Sequence, residues 1–373
     1  MKSREENPNA FKNLISAETV QKMASALKKA DAKFDQSKFL KVIPQLQALE
    51  LKARVQLISH YMNNCLPKDY LKALKIVTVA MESTEFKGFD LWPVSDWIEK
   101  QGLSHGIQSL DAMKILTTKF TAEFAVRPFL IQNPKLAFQY LKKQTSSQNV
   151  HIRRWASEGS RPRLPWGQKL KGSIIDPQPG LEILEQLKFD PELYVRKSVA
   201  NHLNDISKDH PRLVVETLKR WKKVCPQEHL SHLKWIQNHA LRTLIKKGDP
   251  LALEFLGYGG QLQVQLGDFV INKQSYKLGD DLNFTFVLKS VASKAQNLVL
   301  DYIINYKKAN GQLSSKVYKL KNIKLEAGEV MKIEKTHRLR RITTRTFYSG
   351  LHQIALQVNG QSFKPIDWNL KIY

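Results

Sequence analysis

Cysteine is nearly absent: the 373 residues contain only Cys65 and Cys225, in no paired spacing. A disulfide framework and a cysteine-based zinc site are thereby excluded, and a reducing compartment fits. No apolar run is long enough to span a bilayer, and the opening MKSREENPNAFKNLISAETV lacks an apolar centre of signal-peptide length. A soluble cytoplasmic protein is expected, with no membrane association. There is no glycine-rich phosphate loop followed by Lys-Ser/Thr, and no nucleophile elbow. His229, His232 and His239 share helical spacing, but no acid or cysteine joins them in a ligand arrangement, so no metal is expected.

Acid is scarce relative to base. The chain holds 59 Lys and Arg against 34 Asp and Glu, a formal charge of +25. Residues 262–373 hold 18 basic against 8 acidic side chains and the remainder 41 against 26, so the excess is not a detachable tail. Such a field attracts polyanions, and nucleic acid is the expected partner; an anionic membrane surface or non-specific adhesion is the alternative.

From about Asn9 to Phe255 the apolar spacing is helical. SKFLKVIPQLQALELKARVQLISHYM and KDYLKALKIVTVAM both show the three-and-four pattern, and Pro67 is expected to open the second segment. VHIRRWAS, LYVRKSVAN and KWIQNHALR recur at a period near 42 residues, aligned on Ile152, Val195 and Ile236, and each of the first two is followed by a second helix. A two-helix unit of this length predicts a HEAT-like solenoid with a concave face. AEFAVRPFL and the helices before it extend the stack. Gly257, Gly259 and Gly260 read as a hinge, after which alternation begins: Leu282, Phe284, Phe286, Leu288, then Leu300, Tyr302, Ile304, Tyr306. Asn310-Gly311 and Asn359-Gly360 are tight-turn signals. The expectation is a multidomain chain, an all-α HEAT-like repeat region over residues 1–258 followed by an all-β immunoglobulin-like sandwich of about seven strands over 262–373, without a disulfide.

Chemistry concentrates in HIRRWASEGSRPRLPWGQ, residues 151–168, where one carboxylate, Glu158, lies among Arg153, Arg154, Arg161 and Arg163. Arg154 precedes Glu158 by four residues, the less favourable order for a helical ion pair, so surface stabilisation explains the acid poorly. Pro162 and Pro165 stiffen the loop and lower the cost of presenting Trp166 in one place. A carboxylate among cations stays ionised, which suits a base or a counter-charge to a developing cation better than a general acid. The alternative is a structural ion pair beside a buried Trp166. In YVRKSVANHLNDISKDHPRL, Val195, Val199, Leu203 and Ile206 form a core stripe, with Ser198, Asn201 and Asp205 on a neighbouring polar one. A carboxylate late in a helix opposes the macrodipole, so Asp205 is a candidate partner of Glu158. Asp209 is expected to cap the helix beginning near Pro211. Glu123 and Arg127 have the order of an ordinary helical pair. Arg338, Arg340, Arg341 and Arg345 gather in THRLRRITTRTFYSG, as a solvated strand face or a phosphate-contacting edge.

RRWASEGSRPRLPW together with YVRKSVANHLNDISKDHP resembles the bacterial AlkC branch of the HEAT-like repeat DNA glycosylases, relatives of AlkD; the resemblance covers about residues 9–255, and residues 262–373 fit the immunoglobulin-like domain of one AlkC subgroup. It implies a monofunctional glycosylase that releases cationic alkylated bases, above all 3-methyladenine and 3-methylcytosine, from double-stranded DNA, starting base excision repair without metal or cofactor. It implies Glu123, Glu158 and Asp205 as active-site acids, Trp166 as a wall of the lesion cleft and Arg154 as a DNA contact. Arg161, Arg163, Arg338, Arg340 and Arg341 are the further expected DNA contacts, the last three on a DNA-clamping β-domain. A bacterial, nucleoid-associated monomer without an obligate protein partner is expected. The alternative function is a non-catalytic HEAT-repeat scaffold for nucleic acid or protein.

Overall fold

The computed structural model describes residues 10–343 and 345–372. The first nine residues, which carry part of the signal-segment reading and the start of the helical region, lie outside the described residues. So does Thr344 of the arginine-rich segment.

Fifteen α-helices occur among the described residues. The first eight are α1 (Ala17–Ala30), α2 (Gln36–Leu40), α3 (Leu51–Cys65), α4 (Tyr70–Ala80), α5 (Trp92–Gln101), α6 (Gly106–Thr117), α7 (Arg127–Gln132) and α8 (Pro134–Lys143). There follow α9 (Val150–Gly159), α10 (Lys171–Ile175), α11 (Gln178–Leu187), α12 (Leu193–Ile206), α13 (Pro211–Lys223), α14 (Leu230–Lys247) and α15 (Pro250–Phe255). Their starts follow local chemistry. Asn149 Oδ1 accepts from His151 N at 2.9 Å and Ile152 N at 3.4 Å, satisfying two of the free N–H groups that open α9.

Three local expectations are corrected. Helix α4 begins at Tyr70, capped by Asp69, whose side chain accepts from Lys72 N at 2.9 Å; Pro67 lies before it. The segment around Pro44 is not one helix but α2, a 3₁₀ turn at Ile43–Gln45 and α3, since proline removes an N–H and crowds the preceding turn. Asp209 does not cap α13: His210 occupies the N-cap position, with no side-chain capping hydrogen bond to the helix, and Asp209 faces Arg163.

The chain forms two compact units. One runs up to Asp209 and includes Cys225–Ile236; the other comprises His210–Val224 and the chain from Gln237 onward. In the first, α1 packs on α4, α3 on α5, α6 on α8, α8 on α11 and α9 on α12, a succession of stacked helices. The repeat positions Ile152, Val195 and Ile236 are all buried, as is the stripe Val195, Val199, Leu203, Ile206. That stripe fixes which side of α12 turns to its neighbours, and hence where Ser198 and Asp205 point.

In the second unit the strands are β1 (Val264–Ile271), β2 (Ser275–Lys277), β3 (Asp281–Ser290), β4 (Gln296–Lys307), β5 (Leu313–Leu325), β6 (Val330–Arg338), β7 (Gly350–Val358), β8 (Gln361–Ser362) and β9 (Ile366–Lys371). The nine among the described residues exceed the expected seven by β2 and β8, which are too short to leave an alternation pattern. A three-stranded sheet, β1-β3-β6, faces a second sheet ordered β2-β9-β7-β4-β5. The alternating residues read from the sequence meet in one core: Leu282, Phe284, Phe286 and Leu288 from β3, and Leu300, Tyr302, Ile304 and Tyr306 from β4. Asn359 and Gly360 take φ of 45° and 80°, the double left-handed turn that links β7 to β8.

Helix gives way to strand between Phe255 and Val264, whereas the second compact unit starts earlier along the chain. There α13 packs on α15, and Lys246 O accepts a hydrogen bond from Gln357 Nε2 at 2.9 Å.

Candidate active site

Helices α9 and α12 lie side by side and bring Glu158 and Asp205 together. Both carboxylates are buried, at 6% and 2% exposure. They share one cation. Arg161 donates from Nη1 to Glu158 Oε1 at 2.7 Å and from Nε to Asp205 Oδ2 at 2.9 Å. Glu158 Oε2 accepts from Ser198 Oγ at 2.6 Å, and Asp205 Oδ1 from Lys208 Nζ at 3.1 Å. Each carboxylate oxygen therefore meets a donor, which buried charge requires. Burial alone would weaken the charge on Arg161, but Glu158 and Asp205 outweigh it and hold its pKa above the ordinary value.

Arg161, expected from the sequence as a DNA contact, lies inside the protein. Its guanidinium is buried, facing the two acids. A short three-residue offset explains this: the chain leaves α9 at Gly159, and the side chain at 161 folds back over the helix end.

Arg154, one turn before Glu158, reaches outward to the third acid. Its Nη1 bonds Glu123 Oε2, and its Nη2 stands 3.5 Å from Glu158 Oε1. Its guanidinium also lies over the Tyr194 ring, 5.2 Å from the centroid. The anticipated Glu123–Arg127 helical pair does not form. Residue 123 sits in a turn, because α7 starts only at Arg127, and Thr121 Oγ1 donates to Glu123 Oε2 at 3.0 Å.

Arg127 points the other way, 1% exposed, donating from Nη1 to Gly159 O at 2.9 Å and from Nε to Gln168 O. It ties together both ends of the loop that carries Trp166. Burial first, then the neighbouring Arg161 charge, pulls its pKa down to about 10. Within the loop, Gly167 N donates to Leu164 O at 3.1 Å and Leu170 N to Pro162 O at 3.1 Å. A side chain at Gly167 would press on Arg127 Cδ and Leu164 Cδ2, each 3.2 Å from its Cβ. Trp166 itself is held at φ 63° and is 89% exposed. That disposes of the buried-tryptophan alternative. A bulky residue in the left-handed region costs about 1–3 kcal/mol and persists only where its surroundings impose it.

Behind the acids, His202 is fully buried, with Nδ1 at 3.0 Å from Ser157 O. Desolvation lowers its pKa to about 3, so it stays neutral at physiological pH. Arg163 is paired bidentately with Asp209, its Nη2 at 2.8 Å from Oδ1, and both are partly exposed. In the second unit, Arg338, Arg340 and Arg341 are exposed on either side of buried Leu339. Arg345 is separate from them, packed 3.7 Å from the centroid of the Tyr306 ring.

Sequence reasoning assigns no role to Tyr194 or Lys208, and gives Arg127 only as a helical partner of Glu123 and Ser198 only as a member of a polar stripe. Ser198 is visible on the polar stripe of α12; nothing in AEFAVRPFL announces that Arg127 turns inward.

The family model described as "Uncharacterised protein YhaZ, C-terminal Ig-like domain" matches residues 265–372. A protein of Bacillus subtilis (strain 168), described as "Uncharacterized protein YhaZ", is 35% identical over 362 residues, spanning 96% of this chain and 99% of its own. Among solved structures, the alkylpurine DNA glycosylase AlkC of Pseudomonas fluorescens, bound to DNA containing an abasic site analog, superposes with a TM-score of 0.88 at 35% identity. That match covers 97% of this chain and 99% of the other. No described helix is long and apolar enough to cross a membrane.

Proposed function

The chain belongs to the AlkC-type family of DNA alkylation-repair glycosylases with a C-terminal immunoglobulin-like domain, and from that premise we propose that it hydrolyses the N-glycosidic bond of cationic alkylated bases in double-stranded DNA. The substrates in this reading are 3-methyladenine and 3-methylcytosine, and the enzyme is monofunctional, acting as a monomer at the start of base excision repair in the cytoplasm, on the nucleoid. One observation carries it: Glu158 and Asp205 share a single buried guanidinium, with Glu123 and Arg154 immediately beside them.

N3-alkylation leaves the base positively charged, so its glycosidic bond is weakened before the enzyme acts. As the bond breaks, its electron pair leaves with the base, which becomes neutral, and the sugar develops oxocarbenium character. Such a reaction needs little leaving-group protonation. It needs fixed negative charge beside the sugar and a carboxylate to orient or deprotonate a water that attacks C1′. Glu158 and Asp205 supply both, and Arg161 and Ser198 keep them in place without reorganisation. Arg161 is in this reading a positioning residue rather than a DNA contact. Glu123, tethered to Arg154, adds a third negative group, while Arg154 meets the DNA backbone.

Trp166 offers its ring to the cationic base, an attraction of about 0.5–2 kcal/mol that a neutral base does not receive. Its exposed, left-handed placement supports that role, because nothing in folding alone rewards it. Arg163 can exchange Asp209 for a phosphate, and Arg338, Arg340 and Arg341 add phosphate contacts from the β-unit, the DNA-clamping part in this reading.

The test is direct. Incubation with methylated duplex DNA, followed by chromatography of the supernatant, should yield free 3-methyladenine and 3-methylcytosine. Glu158→Gln should abolish release while leaving duplex affinity nearly unchanged. Duplex binding with no free base from the unaltered protein favours the scaffold alternative.

A further inference from the structure

Next to Glu123 lies a concavity of which the proposed reaction uses only Trp166. It is a recess of about 200 Å³ between α3, α5 and the Trp166 loop. Helix α5 lines it with Trp92, Asp96 and Glu99, which at spacings of four and three occupy one face. Lys52 and Gln56, one turn apart, face them from α3, the helix on which α5 packs. Phe124, next in sequence to Glu123, and Trp166 complete the wall.

The walls are of two kinds. Three are aromatic, and Trp92 is fixed from behind by Phe89 and Phe120, whose ring centroids are 6.0 and 6.3 Å away. Of the rest, Lys52, Gln56, Asp96, Glu99 and Gln168 are polar, beside Val55 and Gly167. Asp96 Oδ2 lies 2.7 Å from Lys100 Nζ but has no donor aligned for a hydrogen bond, although the oxygen is buried. Burial, then the charge of Asp96, pushes the Glu99 carboxyl up to about 7. A carboxyl in that range donates or accepts a hydrogen bond as an occupant requires. The other face of the same helix is spent on folding: Trp97 is buried and stacks on Tyr70 at 5.3 Å.

Flat aromatic walls with hydrogen-bonding groups at their edges are the chemistry that holds a nucleobase outside the helical stack. The volume falls below the roughly 300–1,000 Å³ of sites for drug-sized ligands, so the occupant is a single ring system without its sugar and phosphate. We propose that this recess binds one free planar nitrogen base, and that its occupant in turnover is the base just cut from the DNA. The identity of the occupant rests on the glycosylase reading; the recess and its chemistry do not. Trp166 lines the recess and, in the proposed reaction, offers its ring to the base, so a released base passes along that ring into the recess.

The experiment is calorimetric titration of free 3-methyladenine into the full-length protein, with Trp92→Leu, Glu99→Gln and Glu158→Gln measured alongside. One-site binding is expected for the unaltered protein and for Glu158→Gln. Affinity should fall about tenfold in Trp92→Leu and several-fold in Glu99→Gln. Thermal melts identify any variant that fails to fold, and Glu99→Gln, nearly isosteric, guards against failure of the tryptophan variant. No binding by the unaltered protein, or equal affinity across all four, overturns the proposal. The two readings separate cleanly: base binding in the expected order without excision from methylated DNA sinks the glycosylase reading alone, and excision without base binding sinks the recess alone.

Discussion

Glu158 Oε1 and Asp205 Oδ2 are held 2.7 and 2.9 Å from two nitrogens of the same guanidinium, that of Arg161. This relationship makes two acids from different helices into one electrostatic unit. Neither carboxylate is free to drift when charge develops nearby, and removing the cation leaves both buried without their shared counter-charge.

Glu158→Gln and Asp205→Asn should each lower the single-turnover excision rate by about 10²-fold or more, the scale seen when one preorganised charge-stabilising group is removed. Duplex affinity should change little, because phosphate contacts dominate it. Electrophoretic binding assays beside rapid-quench excision kinetics measure both. A parallel loss of binding would count against a role in the chemical step.

Arg161→Met should cost about 3–5 kcal/mol of stability in urea denaturation, the usual result of stripping one partner from a buried ion pair. Adding Glu158→Gln to that variant should recover part of the loss, since one uncompensated charge disappears. If Arg161→Met unfolds at the same urea concentration as the unaltered protein, the bridge is not what holds the acids.

Trp166→Gly should move stability and activity in opposite directions. Glycine takes φ near 63° without strain, and an 89% exposed ring contributes little packing, so the variant should be more stable by roughly 1 kcal/mol. Excision of a cationic base should slow by about 2- to 30-fold, the equivalent of one cation–π attraction removed. Calorimetry and excision assays on the same preparation decide it.

Arg127→Met should copy the excision defect of Trp166→Ala, because Arg127 acts on the reaction through the loop it closes. The double variant should be no worse than the poorer single one; additive losses would show that Arg127 acts elsewhere.

Replacing Arg338, Arg340 and Arg341 together with alanine should weaken duplex binding uniformly across sequences and flatten its salt dependence, by a slope of about 0.9 for each phosphate that the variant no longer neutralises. Substitution is the better test than truncation near residue 258. Truncation there would remove Gln357, which donates to Lys246 O of α14, and Gly360, whose backbone closely approaches Gly248.

Asp301, buried in β4, should make the second unit less stable as pH rises. Burial pushes its carboxyl up to about 6, against the opposing pull of Lys246 and Lys319. Its folded value therefore exceeds the ordinary 3.8, so the folded state binds the proton more tightly. The cost is absent below the lower value, grows between the two and is complete above about 6. Asp301→Asn should stabilise by up to about 3 kcal/mol at pH 7.5 and by almost nothing at pH 3.5, read from urea midpoints.

Much of the architecture is written locally. The stripe Val195, Val199, Leu203, Ile206 and the alternation from Leu282 to Leu288 are legible because burial imposes the period of the helix or strand on nearby residues. The isolation of Glu158 among arginines is legible too, but its supposed unsuitability for a helical pair is not upheld: Arg154 Nη2 stands 3.5 Å from Glu158 Oε1, four residues away. Short elements are not legible: β2 and β8 hold three and two residues, too few to show a period.

What the order of residues determined by itself is therefore the helical repeat, the strand-rich end, the basic field and the two segments in which the acids stand. Only the packing of α9 against α12 decided that Arg161 faces Glu158 and Asp205 instead of solvent. Only the turn before α7 decided that Glu123 meets Arg154 while Arg127 closes the tryptophan loop. The reason is physical. Periodicity reports which side of an element is buried, but the partner of a buried charge is chosen by whichever group the neighbouring element brings within hydrogen-bond reach.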